Sequence, residues 1–181
     1  MAGHSHWKQI KEHKGSADRR RASLFAKLLR AVAVAARTDP HPQFNPRLRT
    51  TIEKARAANV PSENIERAIT KATDQNDLEE LTMEAYGPGG IAFLIHAITP
   101  SHNRTVNEVR GVLKDHDAKW AEPGSVRWAF EEVRGDSGSS WRAKFPHAVA
   151  KEDVGRVRAV VDALEDLDDV DAVFTNGTSL A

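Results

Sequence analysis

The stretch that most limits the fold is Ile91 to Ile98, IAFLIHAI, a run led by Gly87-Pro88-Gly89-Gly90 and closed by Pro100. An apolar run of this length between turn residues is the strongest strand signal in the chain. Leu81 to Tyr86 reads as a shorter strand on the other side of the Gly-Pro-Gly-Gly turn, and the pair predicts a hairpin. A helix-only fold is thereby excluded. On either side of this hairpin the apolar period tells two different stories.

Before residue 73 the period is helical. Residues 4 to 15 read as an irregular basic lead-in, and Ser16 reads as an N-cap with Asp18 in the first turn. From there to Arg37, Leu24, Phe25, Leu28, Leu29, Val32 and Ala36 recur on one face, while Arg19, Arg20, Lys27, Arg30 and Arg37 fall on the other. The expectation is a helix that packs its apolar face and presents a basic ridge. Thr38 to Phe44, with Pro40 and Pro42, is a linker, and Asn45-Pro46 opens a second helix to about Asn59 with Leu48, Ile52 and Ala55 inward. Pro61 opens a third, with Ile65, Ala68 and Ile69 inward. Residues 1–73 are therefore expected to form a basic three-helix domain.

After residue 73 strands and helices alternate. Asn103 to about His116 reads as a helix with Val106, Val109, Val112 and Leu113 inward, and Ser125 to Val133 as a strand. Gly135 to Ser140 is a flexible connection, Trp141 to Val149 a strand, Lys151 to Leu167 a helix and Val170 to Phe174 a last strand, with a frayed tail from Gly177. From residue 91 this order is β-α-β, linker, β-α-β. The predicted fold class is α+β: an N-terminal three-helix domain, then a ferredoxin-like split βαβ domain over 74–181 with residues 81–86 as an added edge strand.

Charge separates the same two parts. Residues 1–73 hold 15 Lys and Arg against 6 Asp and Glu, and residues 74–181 hold 11 against 20, although the formal net charge is zero. The first 37 residues alone carry nine cations and two acids. This layout suits a polyanion partner for the first part, or mutual neutralisation across an interface, and both can hold at once. No apolar run is long enough for a membrane span, the N-terminus is too polar for a secretory signal, and the absence of Cys excludes disulfides and thiol chemistry. A cytoplasmic location is expected.

Catalytic and metal readings find little support. The Gly-Pro-Gly-Gly turn lacks the Lys-Ser/Thr of a P-loop and leads into a strand, so it is a hairpin turn. His4, His6 and His13 have no nearby carboxylate cluster, and solvent or phosphate contact suits them better than a metal. The acidic run Asp162 to Asp171 lacks the offsets and Gly of an EF-hand and reads as a solvated helix end, with nucleic-acid repulsion as a secondary role. No Ser-His-acid set can be argued. Trp7 could stack on a base or anchor its segment, and the anchor is favoured.

Five segments in order, AGHSHWKQIKEHK, NPRLRTTIEKARAANVPSENIERAITK, EAYGPGGIAFLIHAIT, NRTVNEVR and PGSVRWAFE, resemble the YebC/PmpR family. This is the family of proposed bacterial transcriptional regulators that also includes the mitochondrial translational activator of cytochrome oxidase. DALEDLDDVDAVFTN is similar to its C-terminal signature. The resemblance implies a helical N-terminal domain with αβ domains, no enzymatic activity and a role in gene expression. Gly3, His4, Ser5, Trp7, Lys8, Ile10, Lys11 and Lys14 match its N-terminal motif, with His6 where Lys is usual. It also implies a third αβ domain inserted between Val133 and Trp141, where this chain has only residues 134–140.

Together these readings describe a non-enzymatic nucleic-acid-binding regulator of gene expression, foremost a ribosome- or RNA-associated translation factor. A DNA-binding transcriptional regulator is the alternative, and a protein–protein adaptor the second. The expected nucleic-acid-binding residues are His4, His6, Lys8, Lys11, Lys14, Arg19, Arg20, Arg21, Lys27, Arg30, Arg47 and Arg49. No catalytic residue, metal, cofactor, membrane or small-molecule substrate is expected, and a monomer suffices.

Overall fold

A computed structural model describes residues 4–72, 77–135 and 138–178, with their side chains apart from those of 4–17, 19, 134–135 and 138–139. Helix α1 runs unbroken from His4 to Ala36, 33 residues or roughly 50 Å at 1.5 Å per residue. The expected irregular lead-in and the N-cap at Ser16 are therefore corrected. No proline interrupts this stretch, and one interior Gly costs a helix only about 1 kcal/mol, too little to stop it at Gly15. The stop comes where prolines forbid continuation, at Pro40 and Pro42.

Asn45 organises the next start. Its side-chain oxygen accepts the Leu48 N–H at 2.9 Å, capping α2 (Pro46–Ala57), and its amide donates to the carbonyls of Ala35 and Asp39, both at 2.7 Å. One buried side chain thus ties the end of α1 to the beginning of α2. Helix α3 spans Ser62–Ala72 after Asn59, which holds a left-handed φ of 62°. Val32, Ala35, Ala36, Leu48, Ile52, Ala55, Val60, Ile65 and Ala72 form one apolar cluster, with Phe25, Leu28, Leu29, Ala68 and Ile69 at its margin. Leu24, expected inward, is 47% exposed; at 100° per residue it lies off the stripe centred on Val32.

The strands are β1 (Glu79–Tyr86), β2 (Ala92–Thr99), β3 (Lys119–Ala121), β4 (Phe130–Gly135), β5 (Gly138–Ala143), β6 (His147–Ala148), β7 (Val170–Thr175) and β8 (Gly177–Thr178). Helices α4 (His102–Asp115) and α5 (Lys151–Glu165) complete the α+β fold. The main sheet is antiparallel in the order β3-β1-β2-β7. The β1–β2 hairpin forms as expected, its turn holding Gly89 and Gly90 at φ 68° and 74°. A Cβ on Gly87 would meet the Phe93 ring at 2.3 Å, so no larger residue fits there without a shift.

The sheet departs from the expected order in three places. Strand β1 is an inner strand between β3 and β2, not an added edge. It fills the position a ferredoxin-like sheet gives to its third strand. Residues 125–129 form a turn and a short 3-10 helix rather than a strand, while Lys119–Ala121 supplies the edge strand. The expected flexible connection is instead the tip of a separate β4–β5 hairpin, whose residues 136 and 137 lie outside the described set. Gly177 and Thr178, expected to fray, pair in parallel with His147 and Ala148; residues 179–181 are outside the described set.

Strand β2 is buried along both faces except at His96. On one side Phe93, Ile95 and Ala97 pack with Met83 and Ala85 against Val109 and Leu113 of α4 and Val157, Val160 and Leu164 of α5. On the other, Ala92 and Leu94 pack with Ala121, Val126, Ala129 and Phe130. Glu84 on β1 holds this second layer in place. Its buried carboxylate accepts the N–H groups of Gly124 at 2.6 Å, Val126 at 2.7 Å and Arg127 at 3.1 Å. Three donors on one acceptor group demand a carboxylate, because an amide would turn an NH2 toward an N–H. Glu84→Gln is expected to lower stability by about 1–3 kcal/mol, as read from the urea midpoint at unchanged m-value.

Candidate nucleic-acid interface

Two opposed stripes run along α1. Phe25, Leu28, Leu29, Val32 and Ala36 face the α2–α3 core. Ser23, Lys27, Arg30 and Arg37 recur at i, i+4, i+7 and i+14, about 180° away at 100° per residue. This second stripe is half-buried rather than solvent-facing. It docks onto the sheet unit at the end of α5 and the start of β7, and at the residue before β1. The basic ridge expected to point outward is corrected for Lys27, Arg30 and Arg37.

The contacts follow from what α5 lacks. Its last turn has no basic residue, and the segment after it is acidic, so helix dipole and side chains place like charge together. Helix α1 supplies the missing cations. Lys27 Nζ donates to the carbonyl of Glu165, the last residue of α5. Arg30 donates to the Asp168 carbonyl at 2.6 Å and lies 3.1 Å from the Asp169 carboxylate. The Ser23 hydroxyl donates to Asp168 Oδ1 at 2.7 Å. Arg37 donates to the Leu78 carbonyl at 2.6 Å. Beside this stripe, Arg47 of α2 pairs with Glu80 of β1.

Asp169 is the hub. It is only 2% exposed, and Arg104 at 2.6 Å, Thr105 at 2.7 Å and Thr99 at 3.0 Å converge on its Oδ2. Burial pushes the carboxyl upward, but the hydrogen bonds from Arg104, Thr105 and Thr99 and the charge of Arg30 outweigh it, and its pKa lies below the ordinary value. For Lys27 the balance goes the other way. Desolvation pulls the ammonium down despite Asp168, Glu165, Asp166 and Asp171 around it. Lys27 is thus a half-buried, structurally committed cation.

The remaining expected contact residues divide in two. His4, His6, Lys8, Lys11, Lys14 and Arg19 lie on the first half of α1, with side chains outside the described set. Arg20, Arg21 and Arg49 are exposed; the Arg21 guanidinium sits 5.2 Å from the centre of the Phe25 ring. Between α1 and the end of α5 lies an open groove of about 800 Å³, lined by Arg20, Ser23, Leu24, Lys27, Glu165 and Asp166. Its mixed charge makes it a poor phosphate cradle. Among the described residues no three His, Asp or Glu side chains converge as metal ligands would, and no helix is long and apolar enough to cross a membrane.

The roles of Ser23, Arg104 and Asp169 escape a reading of the sequence. Two signals bear on Ser23 and Asp169, the polar recurrence at 23, 27, 30 and 37 and an acidic helix end without a cation of its own; none marks Arg104. Because the Asp169 carboxyl titrates lower in the fold than in the unfolded chain, its contribution is present above about pH 4 and lost as pH falls through its depressed pKa. Urea unfolding from pH 6 to pH 2 is expected to show this loss in the native chain and a flatter profile in Asp169→Asn. Asp169→Ala is expected to cost about 3 kcal/mol at pH 7, leaving Arg30 and Arg104 facing an empty hub.

Residues 5–75 match the family description "TACO1/YebC protein N-terminal domain", and residues 78–136 match "TACO1/YebC second and third domain". A probable transcriptional regulatory protein of Aquifex aeolicus is 49% identical over 135 residues, covering 72% of this chain and 54% of that protein. One of Petrotoga mobilis, with the same printed name, is 50% identical over 135 residues with the same coverage. The chain thus spans about half the length of these curated relatives. The crystal structure of a conserved hypothetical protein from Aquifex aeolicus superposes with a TM-score of 0.79 at 30% identity, covering 88% of this chain and 91% of that one. With both matched segments in register and the fold shared, the chain belongs to the TACO1/YebC family.

Proposed function

We propose that the chain is a non-enzymatic, cytoplasmic regulator of gene expression that binds nucleic acid through its basic helical end, residues 1–73, with 74–181 as the supporting domain. One observation carries the reading. The seam consumes Lys27, Arg30, Arg37 and Arg47. Beyond the seam, Arg20 and Arg21 on α1 and Arg49 on α2 are exposed, and the sequence adds Lys8, Lys11, Lys14 and Arg19 along the earlier part of α1. Such a surface neutralises phosphates and releases counterions without reading bases. Backbone and shape contact of this kind suits structured RNA, so a ribosome-associated translation factor is the favoured form. The printed names of the relatives, probable transcriptional regulatory proteins, support the duplex-DNA form as the second reading.

Ribosome co-sedimentation against salt, beside a duplex-DNA shift assay, tests this. Binding to ribosomes should fall linearly on a log–log salt plot. Lys8, Lys11 and Lys14 changed together to Ala should reduce that slope by roughly 2–3. Arg30→Ala, by contrast, should lower the melting temperature and leave the slope unchanged. Binding to a defined DNA site that survives loss of Lys8, Lys11, Lys14 and Arg19–Arg21 would sink the basic-end reading.

A further inference from the structure

The sheet unit carries an exposed aromatic pair with no role in the seam. Trp128 is 60% and Phe145 49% exposed, and their rings lie 5.6 Å apart at 44°. Two backbone hydrogen bonds fix this arrangement: the N–H groups of Lys144 and Phe145 donate to the Ala129 carbonyl at 2.8 and 3.2 Å. The platform is therefore clipped at its base and does not rest on side-chain packing alone. Leaving two adjacent aromatic rings half in water forgoes apolar burial, and contiguous exposed apolar surface of this kind marks an interaction site.

What the pair offers a partner is limited by what is already used. The Trp128 indole N–H donates to the Ser125 carbonyl at 2.7 Å, so the ring presents its π face without a free donor. Lys144 Nζ stands 5.4 Å from the centre of the Phe145 ring, and Arg127 lies over Trp141 at 4.7 Å. Neither cation forms an ion pair with a described residue, whereas the nearby Arg142 is matched to Glu131 at 2.6 Å. The platform is thus two exposed rings with the Lys144 ammonium against Phe145 and, at the residue next to Trp128, the Arg127 guanidinium on Trp141. Flat partners carrying negative charge on a flexible backbone fit both halves of the pattern.

We infer that Trp128 and Phe145, with Arg127 and Lys144, form a stacking platform for unpaired bases of single-stranded RNA, a contact separate from the basic end. The inference rests on the nucleic-acid reading above and deepens it. RNA is the partner because its loops and bulges expose bases that stack on aromatic side chains, whereas duplex DNA keeps its bases stacked internally. Strand β5, which leads into Lys144 and Phe145, packs beside α2, the helix that carries exposed Arg49.

The test is fluorescence anisotropy of a labelled 12-nucleotide uridine RNA with the full chain, repeated with a DNA duplex of equal length. Trp128→Ala and Phe145→Ala should each weaken RNA binding about fivefold or more at fixed salt, with the salt slope unchanged, because stacking releases no counterions. Trp128→Phe should retain most of the affinity. Arg127→Ala with Lys144→Ala should lower the slope by about 1–2. Duplex binding should be indifferent to both rings. Since the rings are exposed, melting temperatures should stay within a few degrees. Unchanged RNA affinity in the double aromatic variant, while the Lys8/Lys11/Lys14 variant still loses ribosome binding, overturns the platform and leaves the basic-end reading intact. Loss of a self-associated species in sedimentation velocity, without loss of RNA affinity, assigns the pair to protein contact and overturns it equally. Failure of the native chain to bind either RNA or ribosomes defeats the basic-end reading along with the platform.

Discussion

The unanswered negative end of α5 is the constraint on which the arrangement of the chain depends. A helix dipole, the acids that follow it and the buried Asp169 gather negative charge at one corner, and no residue in the last turn of α5 offsets it. Helix α1 does so from 138 residues away in sequence, through Lys27 and Arg30. Because the same helix packs its opposite stripe against α2 and α3, it is held on two sides. The joint between helices and sheet is therefore rich in charge and hydrogen bonds, with Val34 the buried apolar residue on the same stripe. That explains how a chain of zero net charge comes to have such polarised ends: part of the polarity closes on itself.

Periodicity made the helices and the hairpin legible. Leu48, Ile52, Ala55, Val109, Leu113, Val157, Val160 and Leu164 are buried where the spacing puts them, because apolar spacing is a local property that packing respects. Asn45 before Pro46 was equally plain, since a cap is chemistry between near neighbours. The strand order was not. Ser125 to Val133 alternates like a strand, yet the Glu84 carboxylate collects the N–H groups of residues 124, 126 and 127 and folds that segment as a turn. A single distant acid overrode the local pattern, and local pattern has no access to it.

The same limit applies to the candidate interface. A row of Lys and Arg opposite an apolar stripe looks like a solvent face when one helix is considered alone. Only the fold reveals that residues 23, 27, 30 and 37 meet a second surface, so that the row splits into cations committed to the seam and cations left over. The family resemblance marked the leading segment as diagnostic, but it could not make that division either. Trp128 and Phe145 were invisible for a related reason: a Trp in an alternating segment reads as packing until its exposure is seen.

A joint sealed by ions differs in kind from one sealed by oil. Were α1 fastened to the sheet by leucines, parting the two would bare a sticky face and invite aggregation. Here Ser23, Lys27, Arg30 and Arg37 would each find water in place of their partners, and so would Asp168 and the Glu165 carbonyl. Parting the two would therefore bare polar groups and little oil beyond Val34, and dissolved salt weakens the exposed part of the seam more than the buried Asp169 hub.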